Sequence, residues 1–204
     1  MKILALELST ARGSLAWGDV EPKEWPNDRK NSGPFFEALK AALEANGRPE
    51  MIVVGLGPGS YAGVRIALST AIGLQAAGHA RLVGLPSICA MPCKERNYCV
   101  IGDARRQSFF LGRIENRALL SEPELLSETE LRAKLSGLEM LPVFSSDDLP
   151  QFAGVRRAFP SAAQLARLAA EANCRFALPP LQPMYLREPH ITMPGKKAPS
   201  TIRS

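Results

Sequence analysis

The stretch Gly55 to Ala77, GLGPGSYAGVRIALSTAIGLQAA, constrains the fold more than any other part of the chain. It follows Met51-Ile52-Val53-Val54, an apolar run of the right length for a buried strand. Gly57, Pro58 and Gly59 turn the chain, and Ser60 is placed to cap a helix by accepting from an orphan amide of its first turn. In that helix Gly63, Ala67 and Ala71 lie four apart on one ridge, and Ser69, Gly73 and Ala77 on another. Small residues at this spacing let another backbone approach closely. The spacing therefore predicts a strand, a tight turn and a helix built to be packed against.

The loop before the helix gathers free amides at a positive helix end, which suits an anion. The same connection also serves as an ordinary α/β link that binds nothing. It is not a phosphate loop of the Gly-Lys-Ser/Thr kind, and its one nearby cation, Arg65, sits inside the helix.

Around this unit the pattern is regular. Lys2–Leu8 reads as a strand, Ser14–Gly18 as a second and antiparallel one, and Glu21–Pro26 as a short third strand that its two prolines weaken. Pro34–Ala45 is an amphipathic helix with Phe35, Leu39 and Leu43 on one face and Gly47 as its stop. After the small-residue helix comes a strand at Arg81–Leu85. The order βββαβαβ predicts a mixed sheet covered by helices. In the second half, Tyr98–Gly102 and Ser108–Ile114 read as a hairpin around Asp103-Ala104-Arg105-Arg106. Capping-box matches at Ser127–Glu130 and Ser161–Gln164 open helices running to about Leu135 and Asn173. Pro142–Ser145 reads as a strand, and Met184–Arg187 as a closing edge strand.

A chain of 204 residues, 46% hydrophobic and 22% charged, can bury a real core as one domain or two small lobes. The reading divides it into an N-terminal lobe at 1–97, a smaller lobe at 98–188 and a flexible basic tail at 189–204. No apolar run nears the ~18 residues a membrane span needs. The acid in Met-Lys-Ile-Leu-Ala-Leu-Glu makes the N-terminus a strand rather than a signal peptide, which leads to the expectation of a cytoplasmic protein. Cys89, Cys93, Cys99 and Cys174 form no CxxC pair, and His79 and His190 lie far from one another, so free thiols and no metal site are expected. Of the net charge of +5, three units come from residues 187–204, where Arg187, Lys196, Lys197 and Arg203 face only Glu188. That tail is either solvated or an accessory contact for RNA phosphate.

Several motifs together resemble the TsaB (YeaZ) family, whose members take part in making threonylcarbamoyladenosine on tRNA. Ile3-Leu4-Ala5-Leu6-Glu7-Leu8-Ser9-Thr10 opens the chain as theirs opens, and Gly57-Pro58-Gly59-Ser60-Tyr61-Ala62-Gly63-Val64-Arg65-Ile66 resembles their GPGSFTGLRIG signature. Leu82–Ser87, Asp103-Ala104-Arg105-Arg106 and Pro183-Met184-Tyr185-Leu186-Arg187 match further family segments, so the resemblance covers almost the whole chain. It departs between Gly18 and Pro34, which is shortened, and in the tail.

The resemblance implies an α/β fold of two related lobes, like the actin, Hsp70 and sugar-kinase ATPases. It implies a non-catalytic subunit that dimerises with a TsaD-like catalytic subunit, joined by a TsaE-like ATPase, with tRNA engaged indirectly through the complex. The transfer would place threonylcarbamoyl on N6 of adenosine 37 of tRNAs reading codons that start with A. No cofactor of the chain's own is implied, ATP and magnesium being used by the complex, and no membrane is involved.

Where ATPases of this superfamily carry an Asp followed by glycine, this chain has Glu7 and Ser9. On this reading the partner interface comprises Phe35, Leu39, Leu43, Gly63, Ala67, Ser69, Ala71 and Gly73. The opposing reading is that both helices merely cover their own sheet. The small-residue helix is apolar or small nearly all round, and this favours an interface. Glu7, Ser9, Thr10, Gly57, Gly59, Ser60 and Arg65 are candidate anion or nucleotide contacts. They would serve the alternative of a stand-alone nucleotide-binding enzyme, and a regulatory homodimer through the same face is the third reading.

Overall fold

The structure is a computed structural model that describes residues 1–18, 20–27, 31–138, 140–171 and 174–187. The tail at 189–204 lies outside the described residues. The first half follows the expected order: β1 (Ile3–Glu7), β2 (Arg12–Trp17), β3 (Val20–Pro26), α1 (Gly33–Asn46), β4 (Met51–Gly55), α2 (Tyr61–Gly78) and β5 (Arg81–Leu85). These strands form one sheet in the order β3-β2-β1-β4-β5, antiparallel through β1, β2 and β3 and parallel through β1, β4 and β5. β3 forms despite its prolines because it is an edge strand, bonded to β2 alone, where a missing amide leaves no gap in a ladder. β1 and β4 are buried along their whole length, as a central parallel pair covered on both faces must be.

The second sheet is built from β6 (Tyr98–Asp103), β7 (Ser108–Glu115), β8 (Ala118–Leu119), β9 (Glu124–Ser127), β10 (Val143–Ser145) and β11 (Arg156–Arg157). Its order is β11-β10-β6-β7-β8, with β9 pairing β7. α3 (Glu128–Ser136) starts at Ser127, whose hydroxyl and backbone close a reciprocal capping box with Glu130. α4 (Ala162–Ala170) starts at Ser161, which accepts from the Gln164 amide.

Among the described residues, three apolar cores order these elements in layers. Leu4, Leu6, Ile52 and Val54 meet Phe35 of α1 and Ala67 and Ala71 of α2 on the outer face of the first sheet. Ala5, Val53 and Val83 on its inner face meet α4 and then Val100, Phe110 and Phe144 of the second sheet. Ile101, Phe109 and Leu111 on the far side pack with Leu131 of α3 and Phe152. α4 comes late in the chain yet packs on β1 and β2, and its Ala162 amide donates to the Ser14 hydroxyl at 2.8 Å. Among the described residues the architecture is a mixed α/β fold of two sheets and four α-helices, in keeping with the expected two-lobe α/β fold.

The expected closing strand at Met184–Arg187 does not form. The segment makes one backbone bond to the residue just after β4, Met184 N to Leu56 O at 2.7 Å, and the bridge to the edge strand β5 comes earlier, between Ala177 and Gly84. The proline pair Pro179-Pro180 and the single Pro183 just before this segment remove amides that a ladder would need. α4 also ends at Ala170, short of the expected Asn173, which lies outside the described residues.

Candidate partner face and interlobe cleft

The loop between β4 and α2 is fixed by the end of β1. Ser60 donates its amide to the Ser9 carbonyl at 2.6 Å, Gly57 donates to the Ser87 hydroxyl at 3.0 Å, and Ser87 donates back to the Gly57 carbonyl at 2.7 Å. Gly57 and Gly59 hold φ of 92° and 157°, and any side chain on Gly59 would collide with the Ser9 carbonyl. Ser60 then caps α2 by accepting from the Gly63 amide. The glycine pattern of the sequence is thus a demand of close backbone contact.

Glu7 lies beneath this loop and is fully buried. Its Oε1 accepts from the Ser9 amide at 2.6 Å, whereas its Oε2 and the Ser9 hydroxyl find no hydrogen-bond partner of good geometry. Burial pushes its carboxyl pKa up, against the smaller pull of the Ser9 and Ser87 hydroxyls and the Ser9 amide. The carboxyl is sealed from solvent and is not part of the lining of the cleft between the lobes.

A cleft of about 470 Å³ opens between the two lobes. Of the candidate anion contacts, Ser9, Thr10, Gly59 and Ser60 line it. Glu7 and Gly57 are buried behind its wall, and Arg65 stands outside it. The second lobe supplies Asp103, Arg105 and Asp147, tied together by Arg105–Asp103 contacts at 2.7 and 3.2 Å and by Asp103 N to Asp147 Oδ2 at 2.8 Å. Arg105, Arg106 and Gln107 all take positive φ in the hairpin turn, a consequence of closing β6 onto β7 in so few residues. Arg187 reaches across from the C-terminal segment to the Ser108 hydroxyl.

The eight residues expected at a partner interface divide sharply. Phe35, Leu39, Ala67 and Ala71 are buried in this chain's own core, and Gly63 is buried where a side chain would strike the Leu8 carbonyl. The small ridge Gly63-Ala67-Ala71 therefore admits the chain's own sheet rather than a foreign helix. Leu43 is half-buried. Ser69 and Gly73 face outward, and with them stand Tyr61, Ala62, Arg65, Ile72 and Ala76, which form the free face of α2. Beside it α1 exposes Phe36, whose ring meets Phe35 at 5.0 Å. Arg65 is the one charged residue of α2's 18.

Sequence reasoning missed Tyr185 as a partner of Arg65. Arg65 Nε donates to Tyr185 Oη at 2.8 Å, its guanidinium lies 4.2 Å from the Tyr61 ring centroid, and the two tyrosines stack at 5.3 Å. The i,i+4 spacing of Tyr61 and Arg65 could have signalled the first contact. Nothing in the sequence could signal the second, across 120 positions.

The four cysteines are free, and among the described residues no group of three or more His, Cys, Asp or Glu side chains could hold a metal. Among those residues, no helix is long and apolar enough to cross a membrane.

A family model described as TsaD, tRNA N6-adenosine threonylcarbamoyltransferase, matches residues 31–130. The fold is similar to that of an uncharacterized Pseudomonas aeruginosa protein described as similar to peptidase YEAZ. That match has a TM-score of 0.69 and 18% identity and covers 91% of this chain and 99% of the other. It is also similar to YeaZ from Pseudomonas aeruginosa, with a TM-score of 0.60 and 18% identity, covering 83% of this chain and 91% of that one. No curated protein matches the sequence.

Proposed function

We propose that this chain, whose fold is similar to that of YeaZ and whose residues 31–130 match a TsaD family model, is a non-catalytic subunit of the complex that installs threonylcarbamoyl on N6 of adenosine 37 of tRNA. It acts by docking the free face of α2, with the exposed edge of α1, onto a TsaD-like catalytic subunit that a TsaE-like ATPase joins. The observation that carries this reading is the composition of that face. Ala62, Ser69, Ile72, Gly73 and Ala76 are exposed on a helix whose single charge is Arg65. A solvated helix face normally carries several charges, whereas a small and apolar one lets a partner helix approach. Glu7, sealed from solvent and absent from the cleft lining, supports a role without chemistry of its own.

Reconstitution tests it. The chain is combined with a TsaD-like subunit, a TsaE-like ATPase, tRNA and threonylcarbamoyl-adenylate made in place, and modified adenosine is measured with and without it. Modification that requires the chain, and persists with Glu7→Gln, is the expected result. No dependence on the chain would overturn the assignment.

The second reading is a nucleotide-binding protein acting alone, favoured by the cleft and its lining of Ser9, Thr10, Gly59, Ser60 and Arg105. Titration of the isolated chain with magnesium-ATP separates the two, since tight binding supports only the second.

A further inference from the structure

Arg65 is held in place by aromatic rings, whereas five other arginines of this chain are held by acids. Arg12, Arg96, Arg105, Arg132 and Arg156 each lie within 4.0 Å of a carboxylate, and among the described residues Arg65 has none within that distance. Its planar group instead rests over Tyr61 at 4.2 Å and gives its Nε proton to Tyr185 Oη at 2.8 Å. Tyr61 and Tyr185 brace each other at 5.3 Å, with ring planes 30° apart. All three side chains are exposed. The contacts consume the Nε edge of the guanidinium and fix its plane. They assign nothing to the outer edge formed by Nη1 and Nη2, which has the geometry to grip a carboxylate with two parallel hydrogen bonds.

We propose that Arg65, held by Tyr61 and Tyr185, is the polar anchor of the α2 face and recognises a carboxylate presented by a helix of the partner protein. The inference rests on the docking role proposed above and names the chemistry by which that face selects its partner. Two observations favour a protein carboxylate over other occupants. A nucleic-acid surface needs several cations along the phosphate track, and α2 offers one in 18 residues. The residues surrounding that cation on the helix, Ala62, Ser69, Ile72 and Gly73, are small or apolar, as in the packed centre of a protein interface with an arginine or tyrosine hot spot. In a second copy of this chain joined helix α2 to helix α2, the acid would have to come from outside that helix, such as Glu37 or Glu44 of α1, because α2 contains none.

The preorganisation also makes a specific demand. Lysine keeps the charge but has no plane to stack and no fork, so it should not replace Arg65. Tyr185 comes from the C-terminal segment, so that segment shapes the anchor from outside the helix.

The test is a titration of the full-length chain against a purified TsaD-like subunit at two salt concentrations. The wild type is compared with Arg65→Met, Arg65→Lys and Tyr185→Phe, after circular dichroism has shown each variant folded. Met is expected to weaken binding at least tenfold and to flatten its salt dependence. Lys should recover only part of the loss, and Tyr185→Phe should weaken binding less than Met. Loss of binding in Met that is restored by exchanging one acidic residue of the partner for an apolar one would identify the carboxylate. Binding by Met within twofold of wild type overturns the inference while leaving the docking role intact. So does a loss confined to self-association or to tRNA binding. Failure of the wild type itself to bind overturns the docking role, and this inference falls with it.

Discussion

Gly63 and Leu8 come into such close contact that a methyl group on Gly63 would collide with the Leu8 carbonyl oxygen. The third residue of α2 is thereby wedged against the end of β1, and the helix is set down on the sheet at its N-terminus. Gly73, ten positions along the same helix, has open space where its side chain would be. The two glycines have opposite meanings. Gly63→Ala should destabilise the fold by about 1–3 kcal/mol, the cost of overpacking against backbone that cannot move away. Gly73→Ala should stabilise the isolated chain by up to about 1 kcal/mol, the ordinary gain at an exposed helix position. Urea denaturation of the two variants checks both signs. If the α2 face docks as proposed, Gly73→Ala should also weaken partner binding while raising stability.

Ala67 offers a sharper test of which ridge of α2 is inward. Its side chain is wholly buried against Leu4, Leu6 and Val54. Ala67→Glu should give an insoluble or unfolded chain, because an unpaired charge would be forced into that core. Ser69→Glu, on the exposed side, should leave a folded monomer with the wild-type circular dichroism spectrum and fail to pair. A folded Ala67→Glu protein would mean that the helix is rotated from the arrangement described.

Glu7 predicts a pH dependence whose direction is fixed by burial. Its folded pKa is raised, so the folded state disfavours the ionised form. Its contribution is fully present below the ordinary glutamate range and is lost as pH rises toward the raised value. Glu7→Gln keeps the shape without the charge, so its stability relative to wild type should grow with increasing pH through that window. Parallel denaturation series from pH 4 upward measure the difference. Curves that stay parallel at all pH would refute a buried titrating carboxyl at this position.

Cys89 should be chemically silent in the native protein. Burial raises its pKa to about 12, so almost no thiolate exists at pH 8. Cys99 is also fully buried, and desolvation raises its pKa too. Mass-resolved labelling with an aromatic disulfide reagent at pH 8 should leave both unmodified for as long as the protein stays folded. All four thiols should react once denaturant is added.

The chain's own order of residues was enough to specify the local units. The apolar run at 51–54, the turn at 57–59, the Ser60 cap and the Ser127–Glu130 box are all read within a few positions, and each forms where its local chemistry puts it. Even the βββαβαβ order follows, because short connections between alternating strands and helices leave few ways to pair them.

Which face of each element meets which neighbour was decided only in three dimensions. Small residues run along both ridges of α2, so its sequence periodicity could not say whether Gly63-Ala67-Ala71 or Ser69-Gly73 would meet the sheet. The clash between Gly63 and Leu8 decides it, and that contact spans 55 positions of chain. The same holds for Glu7, whose neighbours Gly55 and Ser87 come from two later segments, and for Arg65, whose fixed plane depends on Tyr185. Local sequence specifies backbone conformation through nearby sterics and caps. Burial, pKa and the orientation of a side chain are set by atoms that only the folded chain brings within a few ångströms.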